Sequence, residues 1–500
     1  MRNPELGARN EASIPHSELT RMQFEPVIGL EIHAQLLTRT KIFCGCSTAF
    51  GSPPNTNVCP VCIGLPGALP VMNRRAVEYA IRAGLAFGCT IQPLSIFARK
   101  NYFYPDLPKG YQISQYEQPL ATDGRIRYAA RGESRDVRII RVHLEEDAGK
   151  SLHEGFPDSD RRTYVDYNRS GVPLIEIVTH PDLRSAAEAA GFFERLRAIV
   201  MAIGVNDGNM EEGSLRCDAN VSVRPTGETT LGVKTEVKNV NSFRYLQRAL
   251  EYEIDRQIGV LREGGAVRQE TRLWDSAAGR TLSMRSKEEA HDYRYFPEPD
   301  LPPLEVAASW VETIRAALPE LPEARKQRFA AQYGLSEYDA SLLTQSKAVA
   351  DYFEAAAAAA GNPKAASNWI MGELTRKMNE LNVAIADVPI PPEKLAGLIR
   401  IVDSGTVSST IAKDIFERMY ASGRSADEIV AADGLAQIDD VDALRAAVRD
   451  VVAASSDAVQ QYRAGKKNAF GFLVGQVMKA TKGKGNPKRI NELLKTELGE

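Results

Sequence analysis

Between Ser214 and Arg224 the chain alternates strictly, with Leu215, Cys217, Ala219, Val221 and Val223 on one parity. Ser214, Arg216, Asp218, Asn220, Ser222 and Arg224 occupy the other. Period two predicts a half-buried strand. A second strand follows the turn-rich PTGETTLG, where Lys234, Glu236 and Lys238 alternate with Val233, Thr235 and Val237. The two predict an antiparallel hairpin with one apolar face and one crowded with charge. That face could be a solvated one laced with ion pairs, or a clamp for phosphate or carboxylate groups.

The same periodicity places strands at 27–36, where Glu31, His33 and Gln35 share the polar face, and at 137–150, which ends in Glu145, Glu146 and Asp147. Neighbours on a strand point oppositely, so only some of these three acids can face one site. Glu176 interrupts an apolar strand, PLIEIV, and needs a partner there unless its face is wet. Helical spacing marks 73–88, 185–203 and 241–259. The loop 99–115, RKNYFYPDLPKGYQISQ, has no period; its cations and aromatics suit a recognition lid or a packed loop. Arg285, Lys287 and Arg294, with nearby aromatics, suit an anionic ligand.

After the proline-rich FPEPDLPPLEV, Ala, Glu, Leu, Lys and Arg take over at helical spacing. The predicted class is α+β, a sheet domain followed by helices. Residues 1–22 form a polar, disordered lead without the apolar core of a secretory signal.

Length and composition narrow the class. At 500 residues the chain exceeds one core. Its net charge of −3 gives no global nucleic-acid signature, so any such role is local. One local patch exists: between Arg463 and Lys495 lie nine Lys/Arg and a single acid, Glu492, around an apolar stripe of Phe470, Leu473, Val474 and Val477. Lys466, Lys467, Lys479, Lys482, Lys484, Lys488 and Arg489 are the candidate RNA contacts; a merely solubilising terminus is the alternative. No run approaches a membrane span.

Cys44-Gly-Cys46 and Cys59-Pro-Val-Cys62 flank a Pro/Asn/Gly-rich loop. Two close cysteine pairs fit a tetrahedral thiolate site, with zinc expected and an iron–sulfur cluster the minor alternative. All four positions are protein ligands, so the role is structural. Clustered thiols point to a reducing cytoplasm. Cys89 and Cys217 read as buried small hydrophobes. Gly149-Lys150-Ser151 is no Walker A loop, because Leu144 stands where its first glycine belongs.

Together IGLEIHAQL, CPVCIGLPGALPVMN, KNYFYPDLPKGYQISQY, HLEEDAGKS, NRSGVPLIEIV, MEEGSLRCDANVSVR, EVKNVNSFR and RSKEEAHDYRYFPEPDLP resemble the B subunits of the tRNA-dependent amidotransferases. The resemblance covers the chain from about Phe24. It implies a large, cradle-shaped catalytic domain with a mostly antiparallel sheet over 23–304, an all-helical domain over 305–425 and a small, helical, YqeY-like tail over 426–500 at the tRNA elbow. It implies ATP and Mg²⁺ as cofactors, with zinc structural. The reaction is phosphorylation of the side-chain carboxylate of misacylated Glu-tRNA(Gln) or Asp-tRNA(Asn), then displacement of phosphate by ammonia. Partners are the amidase (A) chain of the complex, which supplies ammonia from glutamine, its small third (C) chain, and tRNA. By the same resemblance Glu31, His33, Glu146 and Glu212 hold Mg²⁺, Glu176 lines the pocket, and Arg216, Asp218, Asn220, Lys234, Glu236 and Lys238 form its walls. A non-catalytic zinc-containing scaffold that binds tRNA is the alternative.

Overall fold

The computed structural model describes residues 22–130, 133–153, 155–284, 293–433, 441–464, 466, 468–481, 485 and 487–499. The polar lead up to residue 21, Arg285, Lys287, Lys467, Lys482 and Lys484 lie outside them. The chain divides into two compact units, Met1–Leu321 and Pro322–Glu500.

The first unit is built on strands. In chain order these are β1 (Phe24–Gln35), β2 (Thr90–Ile91), β3 (Leu94–Ser95), β4 (Phe97–Asn101), β5 (Tyr111–Gln115), β6 (Ala121–Ala130), β7 (Glu133–Glu146) and β8 (Lys150–Leu152). There follow β9 (Tyr164–Asp166), β10 (Pro173–Thr179), β11 (Leu215–Pro225), β12 (Thr235–Lys238), β13 (Glu270–Asp275), β14 (Arg280–Ser283), β15 (Phe296–Pro297) and β16 (Leu304–Glu305). Nine of them make one sheet in the order β14-β13-β12-β11-β1-β10-β7-β6-β2, antiparallel at every junction except β12–β13. The predicted hairpin is present, with Asn220 opposite Glu236. It does not stand alone, because β11 also pairs with β1 along most of its length.

Alternation sorts the two faces. Ile28, Leu30, Ile32 and Ala34 of β1, with Leu215, Cys217, Ala219 and Val221 of β11, are buried in one core. Against it pack the helices Arg74–Ala86, Ala186–Ala202 and Phe243–Arg262. Each begins where a side chain accepts from the first-turn N–H groups: Asn73, Ser185 and Ser242 are the caps. With the apolar parity committed to the helices, Glu31, His33 and Gln35 are left on the opposite face. Cys89 and Cys217 are buried in this core, as small hydrophobes are. So are Val306 and Ile314, so the first core also takes in the helix Ala308–Ala316.

The second unit is helical throughout its described residues. One core joins Phe329, Phe353, Ile370, Leu398, Ile415 and Phe416, and reaches Ile429. The alanine-rich helix Lys347–Ala360 ends at Gly361, whose φ of 73° is the left-handed cap that glycine adopts without strain. Asn362 and Pro363 then start the next helix. A separate core, Leu444, Val448, Leu473, Val477, Ile490 and Leu494, holds the last helices. Leu473 and Val477 of the predicted stripe are thus interior. Among the described residues no helix is long and apolar enough to cross a membrane.

Candidate functional site

The polar face of the sheet gathers its acids where β1, β10 and β7 run side by side. His33 lies opposite Glu176, and Glu176 opposite His143. Directly paired residues project the same way, so the two imidazoles and the carboxylate converge. His143 Nε2 is 3.1 Å from Glu176 Oε2, and His33 Nε2 is 3.6 Å from both Glu176 and Glu145. His33, Glu145 and Glu176 each offer a ligand atom, all within 4.8 Å of one another. Glu176 therefore has the partner that its place in an apolar strand demanded.

The electrostatics follow from burial and crowding. Burial disfavours an imidazolium at His143, yet the charges and hydrogen bonds of Glu176 and Glu145 raise it to about 9. His33 is raised for the same reasons. Burial would raise Glu176, but His143 and His33 hold it well below the usual carboxylate range. Glu31, next along β1, is raised by burial and by the charge of Glu176, and accepts a hydrogen bond from Asn220 at 2.9 Å. Two carboxylates and an imidazole suit a divalent cation.

Cations are anchored around this group. Arg216 donates to buried Asp147 at 3.1 Å, and Gln35 donates to the same carboxylate at 2.8 Å. Lys238 bridges Asp218 at 2.6 Å and Glu236 at 2.9 Å, while Thr271 fixes Glu236 from β13. Asp218 and Glu236 thus act as holders of Lys238. Lys234 is exposed.

Of the acids assigned to Mg²⁺ by resemblance, none is among the three grouped residues: Glu31 borders them, and Glu146 and Glu212 make other contacts. Glu146 has the parity of Leu144, away from Glu145; it is buried, pairs with Lys109 and accepts from the Ile113 N–H at 2.8 Å. Glu145 takes its place beside His33. The signal was legible, because Val142 and Leu144 mark the apolar parity to which Glu146 belongs. Glu212 is exposed in the turn before β11, and its N–H donates to Asn209. Lys100 and Lys109 belong to the loop whose cations the sequence singled out, but periodicity gave no hint of the Lys109–Glu146 or Arg216–Asp147 pairs, which join segments distant in the chain.

The lid stretch forms the ribbon β4–β5, joined by β15 on its outer edge. Gln115 ties it to β7, accepting from the Leu144 N–H at 3.0 Å. Lys100 lies over the Tyr293 ring at 4.9 Å.

The four thiols Cys44, Cys46, Cys59 and Cys62 also meet within 4.8 Å. Cys62 Sγ is 3.6 Å from Cys44 Sγ and 3.7 Å from Cys59 Sγ. Tetrahedral zinc–thiolate bonds of about 2.3 Å require a sulfur–sulfur spacing of about 3.8 Å, so the set fits zinc. The Cys44 hydrogen bond lowers Cys62 to about 4 against the effect of burial, helped by the Cys59 backbone and the Lys41 ammonium. Lys41 is fully buried and donates to Cys62 Sγ at 3.3 Å, Asn57 O at 2.7 Å and Tyr167 O at 3.2 Å. Lys41→Met strips three acceptors of their donor and the thiolate of its cation. It is expected to destabilise the first unit by about 3–5 kcal/mol, read as a fall in urea midpoint at constant m.

In the tail, Lys466 and Lys479 are exposed, and exposed Arg489 is 3.4 Å from Glu492. The Lys488 side chain lies outside the described residues.

Residues 26–312 match the family model for the GatB/GatE catalytic domain, and residues 351–498 match that for the GatB domain. The chain is 56% identical over 473 residues to the B subunit of the aspartyl/glutamyl-tRNA(Asn/Gln) amidotransferase of Thermodesulfovibrio yellowstonii, covering 95% of this chain and 99% of that one. The proteins of the same name from Myxococcus xanthus and Geobacter sulfurreducens are 55% and 53% identical over 477 residues, covering 95% of this chain and 99% and 100% of theirs.

Proposed function

Because the chain belongs to the family of aspartyl/glutamyl-tRNA(Asn/Gln) amidotransferase B subunits, we propose that its sheet face activates the side-chain carboxylate of Glu-tRNA(Gln) or Asp-tRNA(Asn) with ATP for amidation. The observation that carries this reading is the convergence of His33, Glu145 and Glu176 on the polar face, flanked by fixed Arg216 and Lys238.

A carboxylate is a poor electrophile, because its leaving group would be an oxide. Transfer of the γ-phosphoryl group from ATP to one carboxylate oxygen breaks its bond to the bridging oxygen, releases ADP and makes an acyl phosphate. Ammonia then attacks the carbonyl carbon, the C–O bond to phosphate breaks, and amide and phosphate are released. His33, Glu145 and Glu176 would hold a divalent cation, which when bound offsets negative charge on the phosphoryl oxygens. Arg216, oriented by Asp147, presents donors to phosphate or carboxylate oxygens; Lys238, spanning Asp218 and Glu236, fixes a second positive charge on the same face. Glu31, raised by burial, borders the group and is held by Asn220.

The relatives are named as one lettered component among several, which speaks of a multi-chain enzyme. In the proposed complex an amidase chain hydrolyses glutamine to supply ammonia, a small third chain completes the assembly, and the four-cysteine site carries structural zinc. A scaffold that only presents tRNA has no use for a buried His–Glu–Glu group. The test is amide formation on Glu-tRNA(Gln) by the complex fed ammonium in place of glutamine. The reading requires product only with ATP, and equal product without ATP would overturn it.

The helical tail is the proposed tRNA contact. Lys466→Ala with Lys479→Ala should weaken tRNA binding and lower the salt slope by about 1 per lysine, with turnover at saturating tRNA unchanged. An unaltered slope in a filter-binding titration would remove these lysines from the interface.

A further inference from the structure

Just after β5 and just before β15, Tyr116 and Tyr295 lie face to face with ring centroids 4.1 Å apart and planes 8° from parallel. Tyr293 meets the edge of Tyr295 at 6.1 Å and of Tyr102 at 6.0 Å. Ser114, two residues before Tyr116, donates to Glu145 Oε2 at 3.4 Å, Lys100 lies over Tyr293, and both Lys100 and Tyr295 feel the charges of Glu145 and Glu176. The aromatic group therefore borders the acidic one. Among the described residues most aromatic pairs are edge-on or tilted; only Phe156–Tyr164 is also stacked, and Tyr116 is 47% exposed. A parallel pair with one ring left half in water presents a flat platform that a third ring extends.

We propose that the Tyr116–Tyr295 stack seats an adenine ring whose phosphate or ester end reaches the His33–Glu145–Glu176 group. A π-platform takes any base, so the choice of adenine rests on the ATP-dependent reading above. Two molecules in that reaction carry it: ATP, and the 3′-terminal nucleoside of the aminoacylated tRNA. Both place a negatively charged or reacting group a short linker away from the ring, where the acids and Lys100 lie. Lys100, over the Tyr293 ring, adds a cation beside the platform that suits the same ligand.

The experiment uses the assembled complex with Tyr116→Ala and Tyr116→Phe, which substitute a half-exposed side chain and leave the core untouched. Binding is measured for ATP, for tripolyphosphate, for Glu-tRNA(Gln), and for the same tRNA trimmed of its terminal adenosine. If ATP is the occupant, Tyr116→Ala weakens ATP roughly five- to hundredfold and leaves tripolyphosphate unchanged. If the tRNA end is the occupant, intact tRNA weakens by that factor and trimmed tRNA does not change. In either case Tyr116→Phe, which keeps the ring, stays within about twofold of wild type. Equal weakening of ATP and tripolyphosphate, or no change in any probe, overturns the adenine seat while leaving the ATP-dependent reading standing. A wild-type complex that makes amide without ATP overturns that reading, and the seat falls with it.

Discussion

Glu176→Gln is expected to lower ATP-dependent amide formation by at least about a thousandfold, the loss that follows when several kcal/mol of cation-mediated stabilisation disappear. Glutamine keeps the size and hydrogen-bonding reach of the side chain but not the charge that His33 and His143 share. The same variant has a second, independent signature in its stability. His143 is raised from its ordinary 6.5 to about 9, largely by Glu176. A raised imidazole contributes stability that is fully present below about pH 6.5 and fades as pH rises toward 9. The variant should therefore be most deficient in stability at pH 6 and approach wild type near pH 9, as read by thermal unfolding across that range. A divalent cation at His33 competes with the proton there, so its affinity should rise with pH. Glu212→Gln, an exposed turn residue, should leave turnover near wild type; a collapse there would return Glu212 to the site.

Loss of the four-cysteine site is expected to be the most damaging change to stability. Structural zinc contributes on the order of 10 kcal/mol to folding, comparable with the whole stability of a typical domain. The loop between the cysteine pairs would carry that loss into the rest of the unit, because Asn55 donates to the Val165 carbonyl in β9 and the Asn57 N–H donates to Asn168. Cys62→Ser should therefore lower the melting temperature of the first unit by more than about 10 °C, alongside loss of one zinc per chain in a chromogenic release assay. A variant that melts with wild type and still holds one zinc would exclude the site.

Much of this was legible in the chain because sheet faces are written at period two. The apolar parity of β1 and β11 identified the core face, and the leftover parity named Glu31, His33, Arg216, Asp218 and Asn220 as one polar face. The cysteine spacing was equally local. What escaped were contacts made by folding. Asp147 meets Arg216 across 69 positions and Glu146 meets Lys109 across 37, and no local pattern reports such pairs. The resemblance names Glu146, whereas the structure puts Glu145 beside His33, on the parity of His143 that alternates with Val142 and Leu144. The composition shift near residue 305 marked where strands give way to helices, not where the first core ends; Ile314 still belongs to it. Of the basic tail, the period revealed the interior stripe, since Leu473 and Val477 are fully buried, while the partners of its lysines are a matter of surface chemistry.

Phosphorylation of the carboxylate on this sheet face can be followed through its oxygen. Glu-tRNA(Gln) labelled with oxygen-18 in the side-chain carboxylate is amidated by the complex with ATP and ammonium, and the released phosphate is analysed by mass. Transfer through an acyl phosphate leaves one labelled oxygen in each phosphate, and the Glu176→Gln complex should release none. Label found in AMP, or phosphate free of label while amide accumulates, would contradict the account.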